Sequence, residues 1–370
     1  MVTAFTIITR NYLHQARAVM ESVAEQWPEA QRCVILVDRP EDLFSPEEEN
    51  FEIIFADALG LPNFRQKAFA LDGVSMCCLL KPAAALHLLN RSEIETLVYF
   101  DGDTLLYRQP VELVSAADRF SVVFSPHLVE PAPFGKTRRD FHFMQAGLIN
   151  GGLFAVKNRP AGKVFLRWWL ANLDQPHHLD ADWAYDQGWL NLAPGYFPDF
   201  GVLRHLGYNV GYWNLDERSL SVTTGQTLVV NGTDPLTLFH FSCLNPDTPG
   251  FVANRGGIEV LASGPVLREV VQNYIARLNR LGREQCRSWT YAFGHFRDGA
   301  PITHRHRSYY RYRFGAAEQL EGDPFDPSYA PGSARGLKSL YNVGHPLTRL
   351  LRRLQRTKNA LLGPEPYGFE

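Results

Sequence analysis

Asp101 and Asp103 close the apolar run in VYFDGDTLLY, two carboxylates one residue apart. Like charges held that close raise one another's pKa unless a cation lies between them. Mg²⁺ or Mn²⁺ is the simplest remedy, because both favour carboxylate oxygen and water and are commonly shared with substrate phosphates. The pair therefore reads as a metal site that handles a diphosphate, against the plainer alternative of two solvated acids at a strand end. Spacing alone decides little: a chain of this length should contain about one Asp-x-Asp by chance. A second one, Asp180-Ala181-Asp182, does occur, in a polar stretch where aspartate readily caps a helix. The first differs in terminating a strand that reads as buried.

Four other places carry chemistry. His240 stands inside the apolar run Phe239-His240-Phe241, either as a hydrogen-bonded core histidine or as an imidazole completing a mixed nitrogen and oxygen shell around Mn²⁺. Asn150-Gly151-Gly152 offers an amide and two positions without side chains just before a buried strand, where backbone can approach a ligand closely or form a bulge. Asp186-Gln187, set among aromatics, can hold sugar hydroxyls or stabilise positive charge at a reacting carbon, unless Asp186 only caps a helix. Lys81, ahead of Pro82 and a helical run, reads as a point charge for phosphate or as an ordinary exposed lysine.

These residues need a scaffold, and the chain is long enough for one large α/β domain or two smaller ones. Its 370 residues are 45% hydrophobic, enough for a substantial core. A formal net charge of -2 gives no general reason to expect nucleic acid as a partner. No run approaches the roughly 18 apolar residues of a membrane span, and the start of the chain is too short in apolar residues for a signal peptide. The expected address is cytoplasmic. Five cysteines without paired metal spacing read as reduced, mostly buried thiols.

Along the chain, Ala4 to Thr9 reads as a buried strand, Leu13 to Trp27 as a helix stopped by Pro28, and Arg32 to Val37 as a second strand ending at Asp38. Apolar runs at 51–55, 96–100, 120–125 and 148–156 continue the strands, with a helix over 79–89 between them. Alternation of this kind predicts a mostly parallel central sheet flanked by helices. Ligands then collect beyond the carboxyl ends of the strands, which places Thr9, Asp38 and the Asp101/Asp103 pair around one crevice. Residues 183–245 are aromatic and loop-rich, better suited to specificity than to scaffold. A division at residue 285 separates this domain from a C-terminal extension, 286–370, helical and irregular, rich in Arg, His, Tyr, Gly and Pro. Its last helix candidate, Pro346 to Leu362, sets leucines against arginines, either as a solvated helix or as one that lies on a membrane surface or a partner.

The order of these motifs, Thr9-Arg10-Asn11-Tyr12, YFDGDTLLY, INGGLFAVKN, YDQGWLN and FHFS, resembles the GT-A glycosyltransferases, and within them glycosyltransferase family 8, which includes glycogenin and bacterial lipopolysaccharide galactosyl- and glucosyltransferases. The likeness covers roughly residues 3 to 245, and YNVGYWNLDER at 208–218 looks like a bacterial surface-glycan branch of such enzymes. It implies a GT-A (Rossmann-like) fold and a hexosyltransferase that uses Mn²⁺ or Mg²⁺ and a nucleotide-diphosphate sugar, most often a UDP-sugar. The acceptor would be a glycan or lipid-linked glycan, and the C-terminal helix a peripheral contact with the inner face of the plasma membrane.

Carried over residue by residue, the resemblance assigns Asp101, Asp103 and His240 to the metal. Thr9, Asn11 and Tyr12 fall to the nucleotide, Asn150 and Asp186 to the donor sugar, and Gln187 to a place beneath the anomeric carbon. Gly151 and Gly152 line the donor site, and Trp213 and Asn214 belong to the acceptor side. The family usually follows its late histidine with Gly and Lys-Pro-Trp, whereas here Ser242-Cys243-Leu244-Asn245-Pro246 follow. The lysine that meets the diphosphate is therefore missing, with Lys81 or a C-terminal arginine as candidates. Two rivals remain at this level: a sugar-1-phosphate nucleotidyltransferase, which would normally carry a Gly-rich phosphate loop after the first strand, and a non-catalytic glycan-binding protein on the same fold.

Overall fold

A computed structural model describes residues 1–132, 138–174, 186–255, 258–314 and 322–326 of the chain. Strand β1 (Val2–Ile8) leads through a short turn into helix α1 (Leu13–Gln26) and strand β2 (Gln31–Leu36), followed by β3 (Glu52–Phe55), α2 (Phe64–Ala70) and α3 (Gly73–Leu88). Next come β4 (Thr96–Phe100), β5 (Thr104–Leu106), α4 (Val111–Arg119), β6 (Val122–Pro126), α5 (Arg138–Ala146), β7 (Ile149–Lys157) and α6 (Pro160–Leu173). Short helices α7 (Gln187–Leu190) and α8 (Ala193–Tyr196) precede β8 (Phe200–Val202). A small three-stranded sheet follows, of β9 (Leu220–Val222), β10 (Leu228–Val230) and β11 (Asp234–Pro235). Then come β12 (Leu238–His240), the hairpin β13 (Phe251–Arg255) and β14 (Ile258–Leu261), and helices α9 (Pro265–Arg280), α10 (Arg283–Ser288) and α11 (His304–Phe314).

Seven strands form the central sheet in the order β3-β2-β1-β4-β7-β6-β8. Pairings are parallel except those of β7, which runs antiparallel to both β4 and β6. The mostly parallel sheet expected from the alternation of apolar runs and helical stretches is thus present. Apolar residues of both strand faces are covered, as parallel sheets require. Phe5, Ile35, Tyr99, Phe124 and Phe154 pack with α2, α3 and α6 on one side, while Ala4, Val34, Val98 and Val123 pack with α1 and α4 on the other. A third cluster joins β12 to α9 through Phe239, Phe241, Val271 and Tyr274.

Helix α3 begins six residues before the expected start at Leu79. The Asp72 side chain accepts from the Ser75 N–H at 2.8 Å and caps its first turn, and the helix runs through Pro82, which lies buried inside it. The segment after residue 285 is bonded to the strand ends and to α2. Arg10 Nε donates to Thr290 O at 2.7 Å, Ala292 N–H to Asp38 Oδ2 at 2.9 Å, and the Arg307 guanidinium to the carbonyls of Ala68 and Phe69. The Asp180-Ala181-Asp182 pair and the helix candidate at 346–362 lie outside the described residues. All five cysteines are free; Cys33 and Cys286 are buried, and Cys77, Cys78 and Cys243 are half-buried. Among the described residues no helix is long and apolar enough to cross a membrane.

Candidate metal centre and donor cleft

Strand β4 and the turn after it place the two aspartates. Period-two alternation puts Tyr99 and Asp101 on one face, and the Tyr99 hydroxyl donates to Asp101 Oδ1 at 2.5 Å. Two residues on, β5 pairs antiparallel with β12, so Thr104 stands opposite His240 and the imidazole reaches Asp103. His240 Nε2 is 3.0 Å from Asp103 Oδ1 and 3.9 Å from Asp101 Oδ2. One ligand atom from each of Asp101, Asp103 and His240 lies within 4.8 Å of the others. The His240 Nδ1–H donates to Asn209 Oδ1 at 3.0 Å, which leaves Nε2 to face the carboxylates. Two carboxylate oxygens and one oriented imidazole nitrogen form a donor set that could hold a divalent metal ion.

Electrostatics agree with that reading. Burial pushes Asp103 up, but the charge and hydrogen bond of His240 outweigh it and hold the carboxyl below its usual range. Burial likewise pulls His240 down, and the Asp103 carboxylate overcomes this and raises it. The Asp103 carboxylate and the His240 imidazolium thus each favour the other's charged form.

Lys81, on the buried face of α3, supplies the second balancing charge. Its Nζ donates to Asp186 Oδ2 at 2.7 Å and to Gly151 O at 3.0 Å, and lies 3.3 Å from Asp101 Oδ1. Burial alone would favour its neutral form, yet Asp101 and Asp186 hold its pKa well above the ordinary value. Its three donors are therefore directed at protein oxygens, and the ammonium links the metal-side aspartate to Asp186. Asp186 does occupy the position before α7, but its side chain makes no cap hydrogen bond; it reaches Lys81 instead.

Within β7 the Gly151-Gly152 pair lies where the β6–β7 register shifts, Phe124 opposing Phe154 while Ser125 opposes Asn150. Such bulges re-aim backbone near active sites. A Cβ at Gly152 would fall 2.5 Å from His240 Cε1, 2.7 Å from Asp101 Oδ2 and 2.8 Å from Asn150 Oδ1, and one at Gly151 would strike the Asp186 carboxylate. Asn150 is held at both ends: its Oδ1 accepts from the Gly152 N–H at 2.7 Å and its Nδ2 lies 2.9 Å from His127 Nε2. Gln187 Oε1 accepts from the Gly151 N–H at 3.2 Å.

A cleft of about 510 Å³ opens beside this cluster. Thr9, Asn11 and Tyr12 line it from the end of β1, the first turns of α3 from the opposite side, and Lys81, Asp101 and Asp103 at its base. The Thr9 hydroxyl donates to Asn11 Oδ1 at 2.7 Å, fixing that side chain. Trp213 packs edge-on against His240 at 5.0 Å, and Asn214 donates to the carbonyls of His127 and Asn209, so both brace the residues around His240.

One expectation is corrected. Asp38 does not reach the crevice; its two oxygens accept from the N–H groups of Arg10 and Ala292, and the side chain is fully buried. Tyr99, Asn209, His127 and Tyr291 belong to the site or its support without having been singled out. Only Tyr99 carried a signal, its even spacing from Asp101.

No family model matches the chain. Two proteins of Bacillus subtilis (strain 168) are similar to it. Uncharacterized protein YfnF is 24% identical over 248 residues, 65% of this chain and 82% of that one. Uncharacterized protein YfnD is 20% identical over 248 residues, 64% of this chain and 76% of its own length. Among solved structures, the galactosyltransferase LgtC in complex with donor and acceptor sugar analogs is 15% identical with a TM-score of 0.44, covering 77% of this chain and 100% of that one. The glycosyltransferase GlyE of Streptococcus pneumoniae TIGR4 is also 15% identical, with a TM-score of 0.42, over 80% of this chain and 66% of GlyE.

Proposed function

We propose that the protein is a metal-dependent glycosyltransferase of the GT-A fold, akin to family 8, that moves a hexosyl group from a nucleotide-diphosphate sugar to a hydroxyl acceptor. The observation that carries this reading is the convergence of Asp101, Asp103 and His240, with both aspartates lining a cleft walled by the end of β1. Mn²⁺ or Mg²⁺ held by these three would neutralise the charge that gathers on the departing diphosphate. The motif order shared with family 8 supports a UDP-sugar as donor and retention of the anomeric configuration.

In this reading Thr9, Asn11 and Tyr12 hold the nucleotide. Gly151 and Gly152 let the donor sugar approach the backbone beside Asn150. Lys81 holds the Asp186 carboxylate in place through the 2.7 Å hydrogen bond, and Asp186 and Gln187 shield the positive charge that builds on the sugar ring as carbon and oxygen separate. The acceptor is a glycan or lipid-linked glycan, and the setting is bacterial surface-polysaccharide assembly at the cytoplasmic face of the membrane.

Thermal stability tests this reading. A ligand that binds only the folded state raises the melting temperature by mass action. Mn²⁺ plus UDP should stabilise the protein beyond either alone, and Asp103→Asn should abolish the joint effect. Absence of any joint effect across the common nucleoside diphosphates would contradict the proposal.

A further inference from the structure

The third wall of the cleft comes from far along the chain. Tyr291, in the segment after α10, lines the same cavity as Thr9, Asp72 and Lys81. Its direction is fixed by its neighbours. The Thr290 carbonyl accepts from Arg10 Nε, and the Ala292 N–H donates to Asp38, so the residues on both sides of Tyr291 are bonded to groups at the ends of β1 and β2. One residue further, the Phe293 carbonyl accepts from the Arg307 guanidinium at 2.7 Å, and the Phe293 ring meets Tyr291 edge-on at 5.6 Å.

The tyrosine presents its ring, not its hydroxyl, to the cavity. The hydroxyl is shielded and has no hydrogen-bond partner among the described residues, whereas ring atoms Cδ1 and Cε1 lie 3.9 Å from where a Cβ on Gly73 would stand. That same Cβ would stand 3.3 Å from Thr9 Cγ2, so Gly73 keeps open the space between the Thr9 methyl and the aromatic ring. A planar apolar wall facing a gap kept clear by glycine is the shape that accepts a flat heteroaromatic group.

We propose that Tyr291 packs against the base of the nucleoside diphosphate, and that the segment 288–293 is part of the donor site, with Asp38 and Arg10 as its positioning residues. The inference rests on the glycosyltransferase reading for the nature of the ligand. It assigns base recognition to a residue outside the motifs that carry the resemblance.

Calorimetric titration of the full chain with Mn²⁺, with Mn²⁺ plus inorganic pyrophosphate, and with Mn²⁺ plus UDP tests it. Tyr291→Ala should weaken UDP about tenfold, within the range that loss of one base–aromatic contact produces. Its affinity for Mn²⁺ and pyrophosphate should stay unchanged. Tyr291→Phe should bind UDP like the wild type, since the ring and not the hydroxyl makes the contact, and Tyr291→Leu, which keeps bulk without the ring, should behave like the alanine variant. Equal UDP affinity in wild type and both Ala and Leu variants overturns the inference alone. So does an equal loss for pyrophosphate and UDP, which would mark a general distortion of the cleft. A wild type that binds Mn²⁺ but no nucleoside diphosphate overturns the inference together with the function it rests on.

Discussion

His240 donates its Nδ1–H to Asn209 Oδ1 at 3.0 Å, and this bond decides which nitrogen of the ring faces Asp101 and Asp103. Asn209 is fully buried and sits at φ 54°, a left-handed conformation that asparagine tolerates better than most residues. Partners of this kind fix the tautomer and orientation of a metal-binding histidine and are worth about 10- to 100-fold in metal affinity. Asn209→Ala should therefore weaken Mn²⁺ binding by about that factor, read by metal titration. Asn209→Asp, which keeps the acceptor, should retain most of it.

The Lys81–Asp186 pair is nearly inaccessible to water on both sides, at 5% and 6% exposure. Removing one partner of a buried ion pair strands the other and costs roughly 3–5 kcal/mol. Lys81→Met should lower stability by about that much in urea melts. The double variant Lys81→Met/Asp186→Asn should recover part of the loss, because no stranded carboxylate remains at 186. Strictly additive losses would separate the two residues energetically.

Gly152→Ala tests the closeness of the backbone to the metal centre. The added methyl would press on His240 and Asp101 at once. Metal affinity should fall by at least about tenfold, the scale on which misplaced ligands act, while Gly225→Ala, whose methyl would meet only Thr223 Oγ1 at an ordinary 3.8 Å, should leave it unchanged.

Acid should destabilise the fold through two histidines. Burial lowers both His14 and His127 to about 4, with Arg283, Arg17 and Arg287 adding to the effect at His14. Unfolded, each titrates near 6.5, so between roughly pH 6.5 and 4 the unfolded chain binds more protons and stability falls as pH falls. Their contribution is complete above that window. Each can account for up to about 1.4 kcal/mol per pH unit inside it. His240 works in the opposite sense: its raised pKa stabilises below 6.5, and that part is lost as pH rises through the folded value. Urea midpoints at pH 7, 6 and 5 for wild type and His14→Gln should show a shallower acid slope in the variant.

Much of the scaffold was legible because its strands are short apolar runs with turn residues at their ends. Thr96 to Phe100 matches β4 in both limits, and α1 differs from its expected span by a single residue. Helix α3 starts six residues before Leu79 because the Asp72 cap secures a first turn that begins at Gly73, a weak helix former. Direction was harder: nothing in INGGLFAVK declares that β7 runs against its neighbours, since strand direction follows from the path of the connections rather than from local pattern.

At the site, residues with distinctive chemistry at strand ends were visible, and those that act by position were not. Asp38 has the right chemistry and the right strand end, yet the segment that returns from residue 290 uses it as a bracket. Asn209 and Tyr291 become meaningful only once β5 has paired with β12 and the chain after α10 has crossed to the end of β1, contacts separated by more than a hundred residues.

The central claim, metal-dependent sugar transfer at Asp101, Asp103 and His240, is tested most directly by turnover. Purified protein with Mn²⁺ and a panel of nucleotide sugars would be followed by mass-resolved detection of free nucleoside diphosphate and sugar, beside Asp103→Asn and a chelator control. The account expects slow release from one donor, lost in both controls. Release that survives in Asp103→Asn and in chelator, or a panel on which no donor is consumed or bound, would contradict it.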